Sequence, residues 1–208
     1  IIDETQELAI DEKTGDITFG RADLVGITSV SYQAHRAYQI ATACRKQGIP
    51  VIMGGIHATS YPEEAAKYVD CVVTREAVTT WEKIIGDFEK GCLQKRYDGV
   101  LTPMELYQGL RPDRKYLKDK YEYRYSGIIT TAGCPFSCEF CSVPQFQGRK
   151  YRERPIEDVL DEFESIKGQY RGLILTDENF YGHSKKSNER VRDLFKGMME
   201  RGIYQNWF

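Results

Sequence analysis

Short apolar runs of strand length alternate along this chain with stretches whose apolar residues recur every three or four positions. No other feature restricts the fold as much. In the first half the runs are Asp23 to Ser29 (DLVGITS), Pro50 to Met53 (PVIM) and Cys71 to Thr74 (CVVT). Between them, Ala34, Ala37, Tyr38, Ala41 and Cys44 mark one helical face, closed by Gly48. Trp81, Ile84, Ile85 and Phe88 mark another, closed by Gly91. A further helix is expected to start at Ser60, which has capping-box spacing to Glu63. Ile1 and Ile2 suggest an opening strand. Strands separated by helices pair in parallel through right-handed crossovers. The first half therefore reads as α/β, a doubly wound parallel sheet with helices on both faces. Such sheets usually hold their first strand centrally, so a strand–helix unit is expected ahead of Ile1.

Residues 93–122 read as a linker, with two prolines, mixed charge and no sustained period. The basic excess from Arg111 to Lys120 reads as a solvated surface. The alternation then resumes. Tyr125 to Thr131 is a strand, and Pro155 opens a helix carrying Ile156, Val159, Leu160, Phe163 and Ile166, ended by Gly168. Gly172 to Thr176 is the next strand, followed by the polar turn Asp177-Glu178-Asn179. Val191, Leu194, Phe195 and Met198 mark a second helix, and Ile203 to Phe208 begins a third strand. Two complete units and the start of a third make the opening of a partial (β/α) barrel. The expected organisation is 1–92, a linker over 93–122, and 123–208.

Lys and Arg number 29 against 31 Asp and Glu, a net charge of -2. That balance offers no electrostatic reason for a nucleic-acid partner or an anionic membrane. No apolar run approaches the roughly 20 residues of a membrane span. The opening IIDETQELAID has neither the basic start nor the apolar stretch of a secretory signal. Of six cysteines, Cys44, Cys71 and Cys92 are scattered through apolar or helical contexts and read as packing residues. Scattered, reduced cysteine points to a cytoplasmic location.

The other three, Cys134-x3-Cys138-x2-Cys141, lie within eight residues. Thiolates are soft ligands, suited to iron–sulfur clusters, copper(I) or zinc. Structural zinc and ordinary ferredoxin sites need a fourth ligand. The nearest Cys or His residues elsewhere, Cys92 and His183, are each about 40 residues away. Three ligands leave a position open, as catalysis requires, and the loop follows a strand at the end where α/β barrels place active sites. A structural zinc knuckle with a distant fourth ligand is the alternative.

The stretch Gly133-Cys134-Pro135-Phe136-Ser137-Cys138-Glu139-Phe140-Cys141 resembles the signature loop of radical S-adenosylmethionine (SAM) enzymes. The resemblance covers residues 123–208 and implies that the three cysteines hold a [4Fe-4S] cluster whose fourth iron binds SAM. One electron from the cluster would then yield a 5′-deoxyadenosyl radical. It implies Phe140 near the adenine, and Asp177, Glu178 and Asn179 as SAM-binding groups, in place of the family's usual Gly-Gly-Glu.

Residues 23–81 resemble the cobalamin-binding domain that precedes the barrel in one large subgroup, a Rossmann- or flavodoxin-like sheet. Open α/β sheets bind ligands outside the carboxyl ends of their strands. The implied cobalamin-binding residues are Thr28, Ser29, Gly54, Gly55 and Glu76, the glycines leaving room for a bulky ligand. The Asp-x-His-x-x-Gly loop of many cobalamin domains is missing from this sequence. The loop after Thr74 reads Arg75-Glu76-Ala77-Val78, where the subgroup usually starts with Gly. His35 and His57 read as hydrogen-bonded structural residues.

The resemblance implies a cobalamin-dependent radical SAM enzyme that transfers a methyl group to an unactivated carbon. It would act on a small-molecule substrate with an external electron donor of flavodoxin or ferredoxin type. The alternatives are a radical SAM cyclase or rearrangement enzyme, and a non-catalytic zinc or iron–sulfur module. No catalytic residue is assigned. The 208 residues by themselves are expected to be inactive, because two barrel units do not enclose a radical.

Overall fold

The computed structural model describes residues 1–118, 120–182, 184–204 and 206–207. His183 and Phe208, the last residue of the expected third strand, lie outside the described residues. The chain forms two compact units, Ile1–Thr102 and Pro103–Phe208.

In the first unit β1 (Val25–Thr28), β2 (Val51–Gly54), β3 (Cys71–Thr74) and β4 (Arg96–Asp98) form a parallel sheet in the order β1-β2-β3-β4. They are connected through α1 (Ala34–Lys46), α2 (Gly55–Ser60), α3 (Pro62–Ala65) and α4 (Trp81–Glu89). Successive strand side chains point to opposite faces. Val51, Met53 and Val72 accordingly pack with Ala37, Ala41 and Cys44 of α1. Ile52, Cys71 and Val73 pack instead with Ile84 of α4 and with Tyr97. Both faces are thus covered, which is why β2 and β3 read as unbroken apolar runs. Met53 is fully buried, and truncating such a side chain to Ala costs about 2–5 kcal/mol.

Two expectations for this unit change. The helix expected to start at Ser60 is preceded by another, α2, which leaves β2 at Gly55 and ends at Ser60. Pro62 lacks an N–H and starts a separate short helix, α3. Ile1 and Ile2 form no strand; Ile2 instead packs beside Ala9 and Ile10, with an isolated antiparallel bridge joining Ile10 to Ile17. β4 is a short polar strand (RYD) in which only Tyr97 is buried, so it carries almost no apolar signal.

In the second unit α5 (Lys115–Lys118) precedes β5 (Tyr125–Ile128). A short ribbon pairs β6 (Thr131–Ala132) antiparallel with β7 (Arg152–Glu153), enclosing α6 (Val143–Phe146). Then come α7 (Ile156–Ser165), β8 (Gly172–Leu175), α8 (Lys185–Glu200) and β9 (Asn206–Trp207). β5, β8 and β9 form a parallel sheet in that order. Ile128 and Leu173 pack with Val159, Phe163, Leu194 and Met198 of the two longer helices. This is the opening of a (β/α) barrel. The expected strand from Tyr125 to Thr131 ends at Ile128, and Thr131 belongs to the ribbon. Pro155 caps α7 with an extended ψ of 133° and stands just before its first turn.

Residues 93–122 are divided between the units, β4 belonging to the first. Arg111, Lys115 and Lys120 are exposed, as expected of a solvated surface, but Arg114 is not. Arg114, 14% exposed, pairs with the buried Glu162, and Arg111 lies 3.5 Å from the buried Asp158. Among the described residues no helix is long and apolar enough to cross a membrane.

Candidate functional site

The cysteine loop leaves β6 and returns through α6 to β7, and its neck is tight. Gly133 has φ +80°, and a Cβ there would stand 2.3 Å from the Lys150 carbonyl oxygen and 3.2 Å from that of Gln147. Only glycine tolerates both the conformation and the crossing. The Cys134 N–H donates to Gly148 O at 3.2 Å, and the Cys141 N–H donates to Cys138 O at 3.1 Å. Arg149 Nη1 spans the loop to Ser137 Oγ at 2.6 Å. All three thiols are free, with Cys134 and Cys141 half-buried and Cys138 exposed. Among the described residues, no three His, Cys, Asp or Glu side chains converge as a metal-binding group. The three cysteines therefore share one anchored loop without being drawn into a ligand set. Phe140 is 93% exposed.

At the end of β8 the three polar residues separate in role. Asp177 is a clamp: Oδ1 accepts from the N–H groups of Thr130 (2.6 Å) and Thr131 (3.0 Å), and Oδ2 accepts from Thr130 Oγ1 (2.6 Å). Thr130 and Thr131 are fully buried where β5 gives way to the ribbon, so their amides need an acceptor that the sheet does not supply. Both carboxylate oxygens of Asp177, expected among the SAM-binding groups, are thus engaged by the chain itself. Glu178 is exposed. Asn179 is the member that meets the loop, with Nδ2 3.9 Å from Cys134 Sγ.

Two buried arginines at the base of the loop escaped the sequence reading. Arg190 of α8 is buried and donates from Nη2 to Arg154 O (2.7 Å) and Thr130 O (3.2 Å). Burial lowers its pKa, against the pull of Glu153, Tyr151 and Asp177. Arg154, also buried, forks onto Asp158 and Glu162. The available signal was position: Arg190 falls on the same helical face as Val191, Leu194 and Met198.

On the first unit's sheet, β1, β2 and β3 end at Thr28, Gly54 and Thr74. Gly55 has φ +89°, and a Cβ there would lie 2.5 Å from Thr28 Oγ1 and 3.1 Å from Ser29 O. The Cβ direction at Gly55 is filled by the chain itself. A Cβ on Gly54 would make only ordinary contact, 3.6 Å from Val73 O. Thr28 is exposed. Ser29 is buried and its Oγ has no hydrogen-bond partner. Such an orphan costs about 1–3 kcal/mol and marks a place where a polar ligand atom would be stabilised. The Glu76 carboxylate accepts the Thr102 N–H at 2.6 Å, closing this unit rather than facing outward. Arg75 takes φ +58°, the left-handed conformation that the usual glycine would supply.

His57 is buried, with Nε2 2.7 Å from the Tyr38 hydroxyl and Nδ1 3.2 Å from Ser31 Oγ, as expected for a structural histidine. His35 is exposed. Cys44 and Cys71 are buried, and burial pushes the Cys71 thiol up to about 11. Cys92 is exposed, so it is not a packing residue.

Residues 10–85 match the family model of the B12 binding domain, and residues 128–201 match that of the radical SAM superfamily. The chain belongs to the cobalamin-binding radical SAM proteins. It is 35% identical over 193 residues to bacteriochlorophyllide d C-8(2)-methyltransferase of Chlorobaculum tepidum, covering 85% of this chain and 42% of that protein. Against the C-12(1)-methyltransferase of the same organism it is 34% identical over 209 residues, covering 95% and 44%. The radical SAM methyltransferase TsrM from Kitasatospora setae has the same fold over 87% of this chain and 41% of that one, with TM-score 0.68 and 18% identity. The chain spans about two-fifths of the length of each of these proteins.

The donor set of this cobalamin-binding radical SAM chain fits an iron–sulfur cluster: three free thiols on one loop, of the soft type that such clusters take. On the other unit the orphaned Ser29 hydroxyl fits a polar ligand tail.

Proposed function

We propose that this chain serves a cobalamin-dependent radical SAM methyltransferase. One observation carries the reading. Three free thiols hang from the carboxyl end of the first barrel strand, in a chain whose other unit matches a B12 binding domain. Cys134, Cys138 and Cys141 would hold the [4Fe-4S] cluster, and Ser29 would take part in holding cobalamin. The chemistry these groups supply when bound is reductive cleavage of SAM and carriage of a methyl group. The chain's own residues supply anchorage. Asp177 and Arg190 fix the end of β5, and Gly133 sets the neck of the loop. Asn179 offers an amide N–H beside Cys134, a donor that lowers the charge on a thiolate. Glu178 and Phe140, both exposed, would face the methionyl group and the adenine. We assign a small-molecule substrate, an electron donor of flavodoxin or ferredoxin type, and the cytoplasm. The names of the two Chlorobaculum relatives support methyl transfer.

Anaerobic reconstitution with iron and sulfide, followed by reduction, tests this. The expected result is the paramagnetic resonance of a reduced four-iron cluster, altered by SAM, and retention of hydroxocobalamin on dialysis. A chain that takes up zinc and excludes iron would overturn the reading.

A further inference from the structure

A ladder of buried charge runs along α7. Asp158 and Glu162, one turn apart, are 3% and 2% exposed on a helix that also buries Val159, Leu160 and Phe163. Buried ions of this kind are frequently no more stabilising than apolar residues in the same space, so their geometry calls for a reason beyond stability. Arg154 occupies the centre. Its Nε and Nη2 donate to Asp158 Oδ2 at 3.0 and 2.6 Å, and Nη1 donates to Glu162 Oε2 at 2.7 Å. Nη1 also reaches Ile129 O at 2.8 Å. The outer oxygens of the same carboxylates are held by the segment before β5. Gly109 N–H donates to Asp158 Oδ1 at 3.0 Å, and Arg114 Nη2 to Glu162 Oε1 at 2.5 Å.

The position of Arg154 in the chain gives this ladder its meaning. It directly follows β7, at the exit of the cysteine loop, while Ile129 and Thr130 lie at the entry. The Arg154 N–H donates to Thr130 O at 3.0 Å, so backbone and side chain both tie exit to entry. We propose that Arg154 is a positioning residue for the cysteine loop, fixing its two ends to each other while Asp158 and Glu162 hold the guanidinium fork. The inference rests on the reading of that loop as the cluster site. It adds that the segment Gly109–Arg114 takes part in holding the loop through the two carboxylates.

The test uses Arg154→Lys, which keeps the charge and loses the fork. Amide hydrogen exchange of the whole chain, without any cluster, is read first. The expected result is exchange at least tenfold faster at residues 129–134 and 150–154, with Leu173 and Leu194 unchanged. Equal acceleration at Leu173 and Leu194 would mean a general stabilising role and would overturn the proposal, as would no change at the loop ends. Should Arg154→Lys fail to fold, the isosteric Glu162→Gln carries the same comparison. Arg201→Ala, which removes ion pairs on the exposed side of α7, is expected to leave the loop ends as they are. A second arm measures the SAM concentration that half-converts the resonance of the reduced cluster, expected to rise several-fold in Arg154→Lys. Failure of the functional reading looks different: the parent chain itself would then bind no iron, whatever the exchange pattern.

Discussion

The two strand-end edges of this chain meet their ligands in opposite states of preparation. On the first unit the turns after β1 and β2 are packed tightly on one another, with Gly55 against Thr28 and Ser29 and the Glu76 carboxylate closing onto Thr102. Within that packing the buried Ser29 hydroxyl is left without a hydrogen-bond partner. On the second unit the base is held by several hydrogen bonds and the tip is exposed. Thr130 alone is held by Asp177, Arg154 and Arg190, while Cys138 and Phe140 stand in solvent. One edge is a surface finished by its own packing. The other is a loop anchored at its base with its thiols free.

The largest expected effect falls on the edge that carries the cysteines. Replacing any one of Cys134, Cys138 or Cys141 with Ala should abolish assembly of a four-iron cluster, measured as iron and sulfide per chain, whereas Cys92→Ala should leave it intact. Equal loss at Cys92 would mean a four-thiolate site and would erase the contrast. Next comes Gly55→Leu on the finished edge. A side chain there meets Thr28 Oγ1 within 2.5 Å and is forced into φ +89°. Backbone strain of this kind costs about 1–3 kcal/mol before the clash is counted. Urea melts should therefore shift strongly for Gly55→Leu, while Gly54→Ala, which makes only ordinary contacts, moves far less.

Asp177→Ala should follow, since it strands two buried N–H groups and a hydroxyl, each worth about 1–3 kcal/mol. Acid should loosen the same unit. Burial alone would raise the Asp158 pKa, but the Gly109 N–H, the Arg154 fork and Arg111 outweigh it and the pKa is lowered. A carboxylate depressed in the folded state stabilises above its unfolded value of about 3.9 and loses that contribution as pH falls through its folded value. Denaturation followed between pH 6 and 2 should show a loss below about pH 4 that is reduced in Asp158→Asn. The smallest effect on stability belongs to Ser29→Ala, which removes an unpartnered hydroxyl and should leave the melt unchanged or slightly raised. Its hydroxocobalamin affinity should nevertheless drop by a few-fold; unchanged affinity would take the ligand away from this edge.

Much of this was legible before any coordinates. The strands at Cys71–Thr74 and Gly172–Leu175 and the helices after Pro155 and around Val191 follow directly from apolar spacing, because both faces of one sheet and one face of the other are buried. The cysteine trio was legible because thiolate spacing is local. The rest depends on tertiary accounting that spacing does not encode. Arg-Tyr-Asp makes a strand only because β3 offers an edge to it. Asp177 became a clamp because Thr130 and Thr131 leave the ladder with unpaired amides, a debt that arises only once β5 ends at Ile128. The Gly54-Gly55 pair read as room for a ligand, and the Cβ direction at Gly55 is filled by Thr28. Arg114 read as solvated with its neighbours because its partner Glu162 stands more than 40 residues further along.

The central claim is that the loop from Gly133 to Gly148 carries an anchored three-thiolate site with its fourth position left to a small molecule. The most direct test is electron–nuclear double resonance on the reconstituted, reduced chain with SAM labelled by nitrogen-15 at its amino group. A nitrogen-15 coupling to the cluster is predicted in the parent chain and in Cys92→Ala. A fully assembled cluster with no such coupling in saturating SAM, or one lost in Cys92→Ala, would contradict the account, because the protein would then be supplying the fourth ligand itself.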